Sequence, residues 1–177
     1  MHDIHIHTSL SRCAKPDSDP AGYFEEIPRR GLTVAGFANH LWDSAVPGAS
    51  EWYRPQDIAH LLPLKEKLAA TTIPGVRLLF GCETEYIGNK TVGLLPENAE
   101  LFDFVLVPPH HFHMTGFVRP AEITGGEALT KLFVTRFLEA CEIDFAFGFV
   151  HPFVPLGFLD RAHEVLANIP DRLLEEC

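Results

Sequence analysis

Met1-His2-Asp3-Ile4-His5-Ile6-His7-Thr8 alternates polar residues with branched apolar ones, which is the period of a half-buried β-strand. On that reading Asp3, His5 and His7 share one face, and Ile4 and Ile6 the other. Neighbours on a strand face stand ~7 Å apart, so two imidazoles there can converge on one metal ion. An N-terminal edge strand with solvent-facing histidines fits the same alternation. The scar of an affinity tag does not, because a tag would not interleave isoleucines and an aspartate. The positions of the other histidines decide between the remaining readings.

Outward from this strand, residues 9–20 have loop composition, and Asp19-Pro20 has the form of an N-cap followed by a first-turn proline. The helix they open runs to about Arg30, is kinked or shortened by Pro28, and stops at Gly31. Leu32 to Asn39 reads as a buried strand that delivers His40. Leu41 to Arg54 is irregular and carries Trp42 and Trp52. Pro55 opens a second helix with Ile58, Leu61, Leu62 and Leu68 near helical spacing, bent or split by Pro63. Val76 to Cys82 is a third strand ending in Glu83, and Asp103 to Val107 a fourth, which stops at Pro108-Pro109 before His110-His111. Thr124 and Glu127 have capping-box spacing, ahead of a helix burying Leu129, Leu132, Phe133 and Phe137. Phe145 to Val150 is a fifth strand leading into His151-Pro152. A final helical stretch covers Leu159 to the C-terminus, its second piece starting at Pro170.

Strands alternating with helices mean an α/β protein with a mostly parallel sheet. His5, His7, His40, Glu83, His110 and His151 all fall at or just past the C-terminal end of a strand. In a parallel barrel those ends share one rim, where such folds place their chemistry. A lone histidine at a strand end is usually structural. Five strand ends that each carry a metal-competent group are not explained that way.

Composition narrows the function. A length of 177 residues with 46% hydrophobic and 21% charged residues fits one soluble domain, 1–177. A net charge of −10 disfavours a nucleic-acid partner. It leaves room for a phosphorylated small molecule, because divalent ions would reverse the local field. Cys13, Cys82, Cys141 and Cys177 form no CxxC pair, so neither a zinc ribbon nor a disulfide scaffold is expected. No apolar run reaches the ~20 residues of a membrane span, and no signal segment opens the chain. The expected setting is the reducing cytoplasm.

The ordered set resembles the polymerase-and-histidinol-phosphatase (PHP) family of metal-dependent phosphoesterases. Asp3-Ile4-His5-Ile6-His7-Thr8 with Ser11 is similar to the first motif, and Ala38-Asn39-His40 to the second. Gly81-Cys82-Glu83 resembles the third, Val107-Pro108-Pro109-His110 the fourth, and Val150-His151-Pro152 the fifth. The resemblance implies a distorted (βα)7 barrel, here with about five identifiable strands, and two to three divalent ions (zinc, manganese or iron) on its rim. It further implies that His5 and His7 hold the first metal, that Glu83 bridges to a second completed by His110 and His151, and that His40 with Cys13 holds a third. A thiolate at Cys13 would favour zinc; the other reading of Cys13 is a small buried loop residue. Asn39 stands where the family usually has an aspartate, His111 and His113 compete with His110, and no Asp-x-His follows Pro152. An open sheet lacking two strands would expose edges, so a homo-oligomer is expected.

The implied activity is hydrolysis of a small phosphorylated metabolite by metal-activated water, with Glu83, His151 and Arg12 at the reacting centre. On this reading Asp3 accepts a hydrogen bond from one of the imidazoles, and Glu85 is an accessory ligand or a rim carboxylate. Arg12 and Arg119 either grip phosphate oxygens or are solvated loop residues. Trp42, Trp52, Phe112 and Phe117 either wall a pocket or cover the sheet by packing. His60 and His163 read as surface residues. The competing function is a weakened or truncated PHP-like module that binds metal or a partner without turnover.

Overall fold

A computed structural model of the protein describes residues 1–174. In chain order the elements are β1 (His2–Ile6), α1 (Pro20–Arg29), β2 (Val34–Leu41), α2 (Ile58–Ala69), β3 (Arg77–Thr84), β4 (Tyr86–Gly88), β5 (Thr91–Val92), α3 (Pro96–Ala99), β6 (Phe104–Val107), α4 (Gly126–Cys141), β7 (Gly148–Phe149), a 3-10 turn (Leu159–Arg161), α5 (Ala162–Ala167) and α6 (Asp171–Leu174). The fold is mixed α/β, with an open five-stranded sheet in the order β1-β2-β3-β6-β7. The chain forms two compact units, residues 1–84 with 93–106 and residues 85–92 with 107 onward. No helix among the described residues is long and apolar enough to cross a membrane.

In the first unit β1, β2, β3 and β6 pair in parallel. The β2–β3 register sets His40 directly beside Glu83. Pairing of β1 with β2 slips between Asp3 and Ile6, which re-aims the residues that follow. Helix α1 starts as its sequence dictates: Asp19 accepts the Ala21 N–H at 2.7 Å, and Gly31 adopts a left-handed φ of 67° just past its end. Tyr23 and Phe24 of α1 meet the Phe37 ring edge-on at 6.0 and 5.9 Å. Helix α2 begins three residues later than Pro55 implies. Asp57 caps it by accepting the His60 N–H at 2.9 Å, because a carboxylate can satisfy a first-turn N–H and a proline cannot. Pro63 lies inside this one helix without splitting it, and Leu61, Leu64 and Leu68 form its buried face. Each such leucine contributes about 1.5–3 kcal/mol.

Gly81 lies under the Phe104 ring. A Cβ there would stand 2.3 Å from Phe104 Cζ, so the close approach of β6 requires a residue without a side chain.

In the second unit, Val150 donates its N–H to the Val107 carbonyl at 3.3 Å, which joins β7 to the end of β6. Strand β7 is only two residues long, shorter than the run Phe145 to Val150 implies, and Phe147 is 67% exposed. The core gathers Phe112, Val118, Leu129, Phe133, Val134 and Val165. Leu132 and Phe137 of α4 are only half-buried. The expected capping box is not formed. Gly125 occupies the N-cap position without a side-chain bond, and the Thr124 carbonyl accepts from Arg161 Nη1 at 3.4 Å. Strands β4 and β5 form a hairpin that the helix and strand periods do not reveal. Its two-residue turn, Asn89-Lys90, has φ of 51° and 59°, the geometry that matches strand twist. The Gly88-Asn89 step that enters it is the signal that marks it. The end of the last helical stretch lies outside the described residues.

Candidate metal centre

The first unit brings together five of the residues singled out from the sequence. His7 follows β1, and the loop behind it folds back through the Ser9 N–H to the Ser18 carbonyl at 2.8 Å and the Ser11 N–H to the Thr8 carbonyl at 2.9 Å. That return places Ser11 and Cys13 beside the strand they left. His5 Nε2 and His7 Nε2 each lie 3.0 Å from Glu83 Oε2 and 2.9 Å from one another. His40 Nδ1 is 3.6 Å from the same carboxylate oxygen and 3.3 Å from the Tyr53 hydroxyl. Cys13 Sγ is 3.9 Å from His7 Nδ1. Cys13 is exposed and carries a free thiol, so it is not the small buried loop residue that was the other reading.

The triangle formed by His5 Nε2, His7 Nε2 and Glu83 Oε2 fits a metal ion. Its edges of 2.9–3.0 Å are short enough that all three atoms could ligate one ion. Two groups of three in this unit, His5-His7-Glu83 and His7-Cys13-His40, have their ligand atoms within 4.8 Å of one another and could hold an ion. Burial by itself lowers the pKa of His7, but hydrogen bonds and charge from Cys13 and Glu83 outweigh it and raise it to about 9. The cluster therefore keeps a proton that a bound cation would displace. Cys82 is fully buried, and burial and the Glu83 charge push its thiol well up, leaving it an inert core residue.

Other candidates of this unit sit differently from expectation. Asp3 accepts the His5 backbone N–H at 3.1 Å and no imidazole. Arg12 is exposed, with Nη1 donating to the carbonyls of Glu51 and Trp52 at 3.2 and 3.4 Å. Trp42 is buried, donating Nε1–H to the Val46 carbonyl at 2.9 Å, so it packs and does not wall a pocket. Trp52 meets the His40 ring edge-on at 5.0 Å. His60 is half-buried, with Nε2 3.0 Å from the Leu10 carbonyl.

The second unit holds its own polar group. His111 Nδ1 lies 2.7 Å from Glu85 Oε2, and His111 Nε2 lies 3.4 Å from His151 Nε2. The carboxylate fixes the imidazole so that Nε2 faces His151, a pairing that commonly orients metal-ligating histidines. His151 has φ of 37°, a left-handed backbone that a β-carbon disfavours and that collects at functional positions.

His110 was expected in this group, and the structure places it elsewhere. It is fully buried, Nε2 donates to the Phe133 carbonyl at 2.8 Å, and its ring stacks on Phe133 at 3.7 Å. Burial, outweighing the hydrogen bond to the Phe133 carbonyl, lowers its pKa to about 4, so it is a neutral core residue. Adjacent residues past Pro109 point in different directions, and only the position of α4 decides which one faces the core. Arg119 is likewise spent on its own unit. Nε donates to the Phe112 carbonyl at 2.9 Å, and the remaining donors reach the Pro120 and Ile123 carbonyls and the Thr115 hydroxyl. Phe112 belongs to the core.

No family model matches the chain, and no curated protein matches it.

Proposed function

We propose that the protein is a metal-dependent phosphoesterase of PHP type, built on a partial (βα)7 barrel and acting on a small phosphorylated metabolite in a reducing compartment. The observation that carries the reading is the triangle of His5 Nε2, His7 Nε2 and Glu83 Oε2, three mutually adjacent ligand atoms drawn from β3 and from β1 with its following loop. The ordered motifs from Asp3 to Pro152 supply the family. Divalent ions (zinc, manganese or iron) in such a site neutralise a phosphate dianion and acidify a water. His5, His7 and Glu83 bind the first ion, and His111 and His151 supply ligands for another, with Glu85 orienting His111. Neutral imidazoles add no negative charge, so the site retains the positive field an anionic substrate needs. Arg12, exposed on the loop that carries Cys13, grips a phosphate oxygen, and Trp52 beside His40 borders the leaving group.

The test is to quantify metal in the purified protein and follow phosphate release from an aryl phosphate with added manganese or zinc. Phosphate release that depends on added metal and is lost in His7→Ala supports the proposal. Two or more equivalents of bound metal without turnover identify a metal-binding module instead.

A further inference from the structure

We infer that Asn39 and Ser11 act as positioning residues that fix the tautomer of His7, aiming its Nε2 lone pair at His5 and Glu83 and denying its Nδ1 to any ion held by Cys13 and His40. The inference rests on the metal reading above for its consequence and on hydrogen-bond counting for its content. A backbone N–H can only donate, and the Thr8 N–H meets Asn39 Oδ1 at 2.7 Å. That contact fixes which end of the Asn39 amide is oxygen, a choice otherwise open for amides. Ser11 Oγ lies 3.0 Å from the same oxygen. The Thr8 hydroxyl also reaches this oxygen, at 3.1 Å, and the Ser11 hydroxyl is the nearer of the two. Since Asn39 Oδ1 has no proton to give, Ser11 donates in that contact, which spends its single hydroxyl proton.

Two lone pairs remain on Ser11 Oγ. The His40 backbone N–H takes one at 2.9 Å. The other faces His7 Nδ1 at 3.0 Å, which can approach only as a donor. His7 therefore carries a proton on Nδ1, and the nitrogen left as a ligand is Nε2, the atom 2.9 Å from His5 Nε2 and 3.0 Å from Glu83 Oε2. Cys13 Sγ at 3.9 Å from Nδ1 is at most a second, weaker acceptor of the same proton. Thr8, Ser11 and Asn39 are all buried, at 0%, 1% and 0% exposure, so water does not offer Ser11 another partner. Asn39 Nδ2 is buried without a hydrogen-bond partner among the described residues. The side chain is therefore held by its oxygen alone, a role an aspartate would also fill. The nitrogen His7 offers an ion is therefore Nε2, on the side of His5 and Glu83.

The test reads the imidazole nitrogens of His7 by long-range 15N–1H correlation in two forms of the whole protein. One is loaded with zinc alone, and the other is metal-free at about pH 10, above the value near which His7 loses its second proton. The expected result is a protonated Nδ1 and a bare Nε2 in both forms. Asn39→Asp and Cys13→Ser should leave the tautomer unchanged. Ser11→Ala should mix the tautomers and lower zinc affinity roughly 10–100-fold. A bare Nδ1 in either wild-type form, or Ser11→Ala with both tautomer and affinity unchanged, overturns the inference. Zinc bound through Nδ1 would do so while leaving the metal reading intact. A protonated Nδ1 in a protein that takes up no zinc would support the relay and remove the metal reading.

Discussion

Protons and metal compete for His7, and the size of that competition can be worked from the site. Glu83 Oε2 at 3.0 Å and Cys13 Sγ at 3.9 Å stabilise the imidazolium and hold its pKa at about 9 against the burial that lowers it. A ligand nitrogen must be deprotonated, so below that value each pH unit costs a factor of ten in apparent affinity. At about pH 7 the penalty is roughly 100-fold, from the two units separating that pH from the His7 value of about 9. Apparent zinc affinity should therefore rise roughly ten-fold from about pH 7 to about pH 8, and level off above pH 9. Competition titration against a chromogenic chelator reads the slope. Calorimetry in buffers of different ionisation enthalpy should find a proton released per zinc at about pH 7. Glu83→Gln removes the larger stabilising charge and should move the plateau to lower pH. An affinity flat between about pH 7 and about pH 8.5, with no proton released, would refute the coupling of His7 to Glu83.

The same ion pair sets the pH dependence of stability in the metal-free protein. His7 is raised in the folded state, so its contribution is complete below the unfolded value near 6.5 and is lost as pH rises through about 9. The loss is on the order of 3 kcal/mol, readable from urea midpoints of wild type against Glu83→Gln; parallel curves across that window would contradict it. His110→Ala should cost roughly 2–5 kcal/mol of stability by emptying the stack on Phe133, with metal stoichiometry unchanged. His111→Ala should lose one equivalent of metal by atomic absorption and also lower the melting temperature, because the buried Glu85 carboxylate loses the imidazole 2.7 Å away. Gly81→Ala should destabilise by about 1–3 kcal/mol, because the Phe104 ring must shift to admit a methyl group; an unchanged denaturation midpoint would show that β6 yields easily.

By itself the sequence determined the strand positions and the groups at their ends. Alternation in β1 and the apolar runs of β2, β3 and β6 are local patterns, and a strand carries its terminal residue wherever it goes. His5, His7, His40 and Glu83 were legible for that reason, and so was the cap of α1, where Asp19 acts on an N–H two residues away. The hairpin β4–β5 was local too, but it lies in segments too short for periodicity to mark. The tertiary structure alone decided between His110 and His111. Both follow the same two prolines, and the choice belongs to Phe133, more than twenty residues later, whose ring and carbonyl claim His110. It also gave Glu85 to His111, turned Asn39 from a missing acid into the acceptor that commits Ser11, and made a triangle of atoms from residues 5, 7 and 83. A metal-binding geometry depends on distances of about 3 Å between side chains remote in sequence, and pairing register and packing fix such distances where residue order does not.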